Sequence, residues 1–306
     1  MSHTHAHGHS HGLDARRVGN RRRMRAALAI NVAMLSVALI GGFLTGSLAV
    51  LADAGHVLSD VGAITLGLVG ASLAARPVGG RRTFGLQRSE VLAALVNGLA
   101  LVVIAVLVAI AAVGRLSHPP DVEGAGVLAI GLFGLAGNAS ATWVLARGDR
   151  ADLNLEGVLR HSFADALGSL AVVAAGGIIL ATGYLEADPI AGLAVALLIL
   201  LSSVRLVLEP LEVLLEVAPA GLDVDGLGEA LCDVEGVVSV HELHVWTVTS
   251  GFVALSAHVV AAPESDRDAL RMRLEYLLRD RYAIEHSTLQ LEEEAPEGAI
   301  LQLGSY

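Results

Sequence analysis

LAVLADAGHVLSDVGAITLGLVGASLA, residues 48–74, is an apolar run whose only charged residues are Asp53 and Asp60. A helix of about 20 apolar residues crosses the hydrocarbon core of a bilayer. The stretch therefore reads as a transmembrane helix that carries ionisable groups. Outward from it the same pattern recurs, giving six expected spans: Met24–Leu44, Leu48–Ala74, Ser89–Gly114, Gly124–Leu145, Leu155–Thr182 and Pro189–Leu208. Composition agrees, with 54% hydrophobic residues among 306 and a mean hydropathy of +0.64. The 34 glycines suit close helix packing in lipid. A single cysteine, Cys232, excludes a disulfide framework and a Cys-based zinc site within one chain.

Charge divides the chain. Residues 210–306 hold 18 acidic and 5 basic side chains, a net −13, whereas residues 1–209 are net +2. A membrane part is thus followed by an acidic, water-soluble part. Arginines cluster before and at the start of the first span (Arg16 to Arg25), between the second and third (Arg76, Arg81, Arg82, Arg88) and between the fourth span and the first turns of the fifth (Arg147, Arg150, Arg160). The positive-inside rule places both termini in the cytosol, which for a bacterium means the inner (cell) membrane. From residue 223 onward the pattern predicts a helix, two strands around Ser250-Gly251, an amphipathic helix and a last strand. The expected division is a flexible His/Arg-rich cytosolic tail (1–23), a six-helix transport domain (24–209), a cytosolic αββαβ domain for metal binding and dimerisation (210–295) and a C-terminal tail (296–306). An ion pair of Glu209 with Arg81 or Arg82 is expected to tie the membrane part to the tail.

Two spans hold His-x-x-x-Asp: His56 with Asp60, and His161 with Asp165. The i, i+4 spacing puts both side chains of a pair on one helix face. Ionisable residues inside a span are costly and mark function. Two imidazoles and two carboxylates make a four-ligand set suited to tetrahedral Zn²⁺. Empty, such a site is neutralised by protons; metal binding needs deprotonated ligands and releases them. The expected activity is exchange of Zn²⁺, with Cd²⁺ or Co²⁺ as further cargo, for H⁺ by alternating access. Asp53, nearer the end of its span, is expected at a mouth or helix start. Asn31, Asn97 and Asn138 are expected to hydrogen-bond between helices.

The alternating His3, His5, His7, His9 and His11 are expected to collect metal weakly. A metalloprotease would need His-Glu-x-x-His, whereas His241-Glu242-Leu243-His244 has the wrong spacing. There is no P-loop and no lysine, which excludes ATP-driven pumping on that signature; the chain reads as a transporter, not an enzyme, with neither a nucleotide nor a nucleic acid as expected partner. The alternative is a membrane-anchored metal sensor that does not transport.

These residues, with Gly46-Ser47-Leu48-Ala49, Thr83-Phe84-Gly85, Gly168-Ser169 and His241-Glu242-Leu243-His244-Val245-Trp246, resemble the cation diffusion facilitator family, in its zinc-exporting branch, from about Asn31 to Glu292. The resemblance implies six transmembrane helices, a homodimer and a cytosolic metallochaperone-like domain. It implies His56, Asp60, His161 and Asp165 as the transport site and His241, His258 and Glu292 as a cytosolic zinc site. Ala38 stands where many zinc members have Glu, and Gln290 where some have a further His. His244 is expected to pack or hydrogen-bond, and His286 to lie on the surface.

Overall fold

The computed structural model describes residues 10–74, 76, 79–146 and 155–293, with side chains left aside at 10–27, 71, 144–146 and 155–164. Six long helices come first: α1 (Ser10–Thr45), α2 (Leu48–Ala74), α3 (Ser89–Ser117), α4 (Gly124–Ala146), α5 (Leu155–Thr182) and α6 (Ala187–Leu214). Each is long and apolar enough to cross a membrane. They are followed by α7 (Val224–Cys232), β1 (Val237–Thr249), β2 (Phe252–Ala261), α8 (Arg267–Tyr282) and β3 (His286–Glu292). By contacts the chain forms two compact units, residues 1–66 with 96–206 and residues 67–95 with 207–306.

The expected spans agree with the helices except at two ends. Helix α1 begins at Ser10, so residues 10–23, expected within a flexible tail, continue a helix. Extending an existing helix fixes one residue per hydrogen bond, and arginine is a good helix former. Helix α6 runs past Glu209 through Pro210 to Leu214. Hydropathy ends at the charge, but a backbone already helical need not. Left-handed glycines close two of the helices, Gly46 (φ 71°) after α1 and Gly183 (φ 71°) after α5.

The first unit is built for lipid. Its interior is small, with Ala49, Val50, Ala54, Val127, Val172 and Ala175 packed together. Large apolar side chains point outward, among them Phe43 at 76% and Leu44 at 80% exposure. Water would not tolerate so many contiguous apolar groups. Helices α4 and α5 approach through glycine. A Cβ on Gly131 would lie 2.9 Å from the Val173 backbone nitrogen, and one on Gly124 2.8 Å from that of Leu180. Backbone cannot retreat as a side-chain tip can. Gly131→Ala is therefore expected to lower stability by about 1–3 kcal/mol. Gly177→Ala, with nothing within 4 Å, is the control and should cost nothing of this kind. Thermal unfolding in detergent measures both, and equal melting of the two variants would refute the close-packing account.

In the second unit, α7 and α8 cover one face of a three-stranded sheet of order β1-β2-β3, antiparallel then parallel. Leu227, Leu231, Leu255, Leu270, Leu274 and Leu278 are buried in that layer. Asp223 caps α7 and Asp266 caps α8 by accepting first-turn backbone N–H groups. Within this same unit the expected tie has different partners. Arg88 donates to Glu216 at 2.9 Å, and Thr249 donates to Glu90 at 3.0 Å. Phe84 packs against Phe252 and, edge-on, against the exposed His286.

Candidate metal sites

Helix α2 carries His56 and Asp60 one turn apart, and α5 brings Asp165 to them. His56 Nε2 lies 2.7 Å from Asp165 Oδ1, with both side chains 12% exposed. One ligand atom from each of His56, Asp60 and Asp165 falls within 4.8 Å of the others. That spacing fits donors around a single cation. His161 sits in α5 one turn before Asp165, and its side chain lies outside those described. Cross-helix hydrogen bonds frame the site. Asn97 on α3 donates to Ser59 on α2 at 3.0 Å, and Asn138 on α4 donates to Ser169 on α5 at 3.2 Å. Two of the three expected asparagine bonds are thus observed; Asn31 is half-buried.

Asp53 lies in the second turn of α2, not at its start, and is 7% exposed. It approaches α4 and α5 at two glycines, with Oδ1 3.2 Å from the Cβ position of Gly168 and Oδ2 3.6 Å from that of Gly134. The helix-start role expected of it belongs to Asp188. This carboxylate, fully buried at the head of α6, accepts from the backbone N–H of Leu48 at 2.7 Å and of Ala49 at 3.2 Å, and from the Ser47 hydroxyl. Arg115 stands 3.8 Å from Asp188 and donates to the Gly46 carbonyl at 2.7 Å. Sequence reasoning missed this residue because Asp188-Pro189 reads fully as the beginning of its own helix.

In the tail the sheet assembles a second group. His241 on β1 is the cross-strand partner of His258 on β2, which pairs with Gln290 on β3 two residues before Glu292. With a two-residue period these four share the face away from α7 and α8. Glu292 Oε2 is 3.2 Å from His241 Nε2, and Glu292 Oε1 is 2.9 Å from His258 Nδ1. Ligand atoms of His241, His258 and Glu292 lie within 4.8 Å of one another. Burial pushes the Glu292 carboxyl up, but a hydrogen bond from Gln290 and the charge and hydrogen bonds of His258 and His241 outweigh it. The carboxyl is held below its ordinary range. Two imidazoles and an anionic carboxylate suit Zn²⁺. Gln290, where a further His would sit, donates to Glu292 Oε1 at 2.7 Å and so orients that carboxylate. His244 is exposed beside a cavity shared with Gln87 and Trp246, apart from the group. His3, His5, His7 and His9 lie outside the described residues, as does the side chain of His11.

Comparison with known proteins covers nearly the whole chain. Residues 24–215 match the family model of the cation efflux transmembrane domain, and residues 219–294 that of the cation efflux protein cytoplasmic domain. The zinc transporter ZitB of Escherichia coli is 40% identical over 294 residues, which is 95% of this chain and 93% of that protein. A cadmium, cobalt and zinc/H(+)-K(+) antiporter of Bacillus velezensis is 36% identical over 293 residues, 94% and 91% of the two chains. A solved structure, the metal-bound C-terminal domain of the CzcD transporter from Cupriavidus metallidurans, is 32% identical. It spans 23% of this chain and 99% of that one, with a TM-score of 0.22.

Proposed function

We propose, from the premise that this chain belongs to the cation efflux family, that it exports Zn²⁺ from the cytosol in exchange for protons. Cd²⁺ and Co²⁺ are further cargo, because one nitrogen–oxygen ligand set serves several divalent metals. The observation that carries this reading is the convergence of His56, Asp60 and Asp165 inside two apolar helices. The relative from Bacillus, whose name couples cadmium, cobalt and zinc to H⁺, supports the antiport.

His56, Asp60, His161 and Asp165 form the transport site in this proposal. With zinc bound, two carboxylates balance its charge. Once zinc leaves, the same carboxylates in low dielectric are neutralised by protons, so the site crosses the membrane near neutrality in both directions. Zinc and protons therefore compete for the same oxygens, and this competition is the coupling. The protein spans the membrane several times, and the arginine clusters support cytosolic termini. His241, His258 and Glu292 hold a resident zinc in the cytosolic domain, which joins two copies of the chain in a homodimer. The histidines of the N-terminal segment collect zinc ahead of transport. The functional division is a segment 1–23, a transport domain 24–209, a cytosolic domain 210–295 and a tail 296–306.

Zinc flux into proteoliposomes under an imposed pH gradient tests the proposal. Flux is expected to follow the gradient, to reverse with it and to collapse when a protonophore abolishes it. Zinc bound by the protein but not moved in either direction would leave the non-transporting sensor as the function.

A further inference from the structure

The metal face of the tail sheet contains a residue that strand alternation alone would put on the other side. Along β1, Val240 is buried in the helix-covered core and His241 faces away from it. Regular alternation would return residue 242 to the core. Instead Leu243 and Val245 occupy the core, and Glu242 is exposed beside His241. The register with β2 shifts at this point, between His241 and His244. Two consecutive side chains therefore emerge on one face, which is what an extra bulge residue does. Glu242 adopts φ 50°, a left-handed conformation uncommon outside glycine, asparagine and aspartate. Such a conformation is costly and persists where the surroundings require it.

The bulge aims the Glu242 carboxylate at His258. Glu242 Oε2 lies 3.5 Å from His258 Nε2, while the other ring nitrogen, Nδ1, lies 2.9 Å from Glu292 Oε1. His258 thus stands between two carboxylates, one at each nitrogen. A ligating histidine needs one nitrogen free of its proton and usually donates the other N–H to an acceptor that fixes tautomer and ring angle.

We infer that Glu242 is the positioning residue for the tail metal site: it accepts the Nε2–H of His258 and so presents Nδ1 to the metal beside Glu292 and His241. This rests on the reading of His241, His258 and Glu292 as a zinc site. Glu242 is not itself a ligand. The strained bulge places its carboxylate behind a ligand instead.

The test uses the full-length protein in detergent, carrying Asp60→Ala and Asp165→Ala so that the transmembrane group does not compete. Zn²⁺ and Cd²⁺ are titrated against Glu242→Gly, Glu242→Asn and Glu242→Asp. Glycine and asparagine accept the left-handed backbone but remove the carboxylate. Both are expected to weaken the tail site roughly 10- to 100-fold. Glu242→Asp, which keeps the charge, should recover most of that loss. With ¹⁵N-labelled histidine, the metal-bound nitrogen of His258 is expected to be Nδ1 when Glu242 is present, with both tautomers appearing in the asparagine variant. Unchanged affinity in the glycine and asparagine variants, or ligation through Nε2 in the parent, overturns the inference. If the parent binds no metal and His258→Ala changes nothing, the zinc-site reading itself fails, a result distinct from the other two.

Discussion

Asp165→Asn should abolish proton-driven zinc flux, by about 10²- to 10³-fold, in a protein that still folds. The substitution keeps the size of the side chain, and the amide oxygen can still accept from His56 Nε2, now 2.7 Å from Asp165 Oδ1. What disappears is a negative charge and a proton-carrying oxygen. Removing one charge-stabilising group from a water-excluded site costs about 2.7–4 kcal/mol in the step it serves, and each 1.36 kcal/mol is a tenfold change in rate. With the side chain 12% exposed, the site is dry enough for that range to apply. Stability moves the other way, because an amide is cheaper than a carboxylate within an apolar span. Melting temperature and flux, measured on the same preparation, separate the two effects. Flux above a tenth of the wild-type value would show that Asp165 is not a ligand.

Asp188→Ala has the opposite signature, loss of fold with the metal group untouched. Asp188 is fully buried and accepts from Ser47, Leu48 and Ala49, while Arg115 lies 3.8 Å away. Alanine leaves two helix-start N–H groups and a half-buried guanidinium without their anion. Removal of one partner from such a cluster costs about 3–5 kcal/mol, against a total stability of about 5–15 kcal/mol. Most of the variant should be recovered aggregated from detergent, and the remainder should melt well below wild type. Asp188→Asn retains an acceptor and should lose less. An alanine variant that melts within about 2 °C of wild type would show that water satisfies these groups instead.

Features that were legible in the sequence are sums over neighbours in the chain. Six spans and the αββαβ order follow from hydropathy and alternation, which residues a few positions apart determine. The grouping of His56 and Asp60 is legible for the same reason, since one helical turn separates them. The start of α1 at Ser10 and the passage of α6 through Pro210 are less so, because hydropathy reports where lipid ends and not where a helix ends. Asp188 and Glu242 escaped for a different reason. The first acts on a helix far away in the chain, and its own surroundings explain it completely as a local cap. The second depends on a bulge, and one extra residue in an alternating strand is visible only when the partner strand supplies the register.

The cap of α2 also has a consequence in time. Leu48 and the carboxylate it donates to are 140 residues apart. At ordinary rates of synthesis that interval is on the order of 10 s. During it the first turn of α2 has no anion, and three further helices are made before α6 delivers one. A nascent chain halted after α5 therefore carries a second helix whose head is unfinished. Biogenesis closes only with the last span, so quality control that samples this end of α2 distinguishes a complete insertion from a partial one.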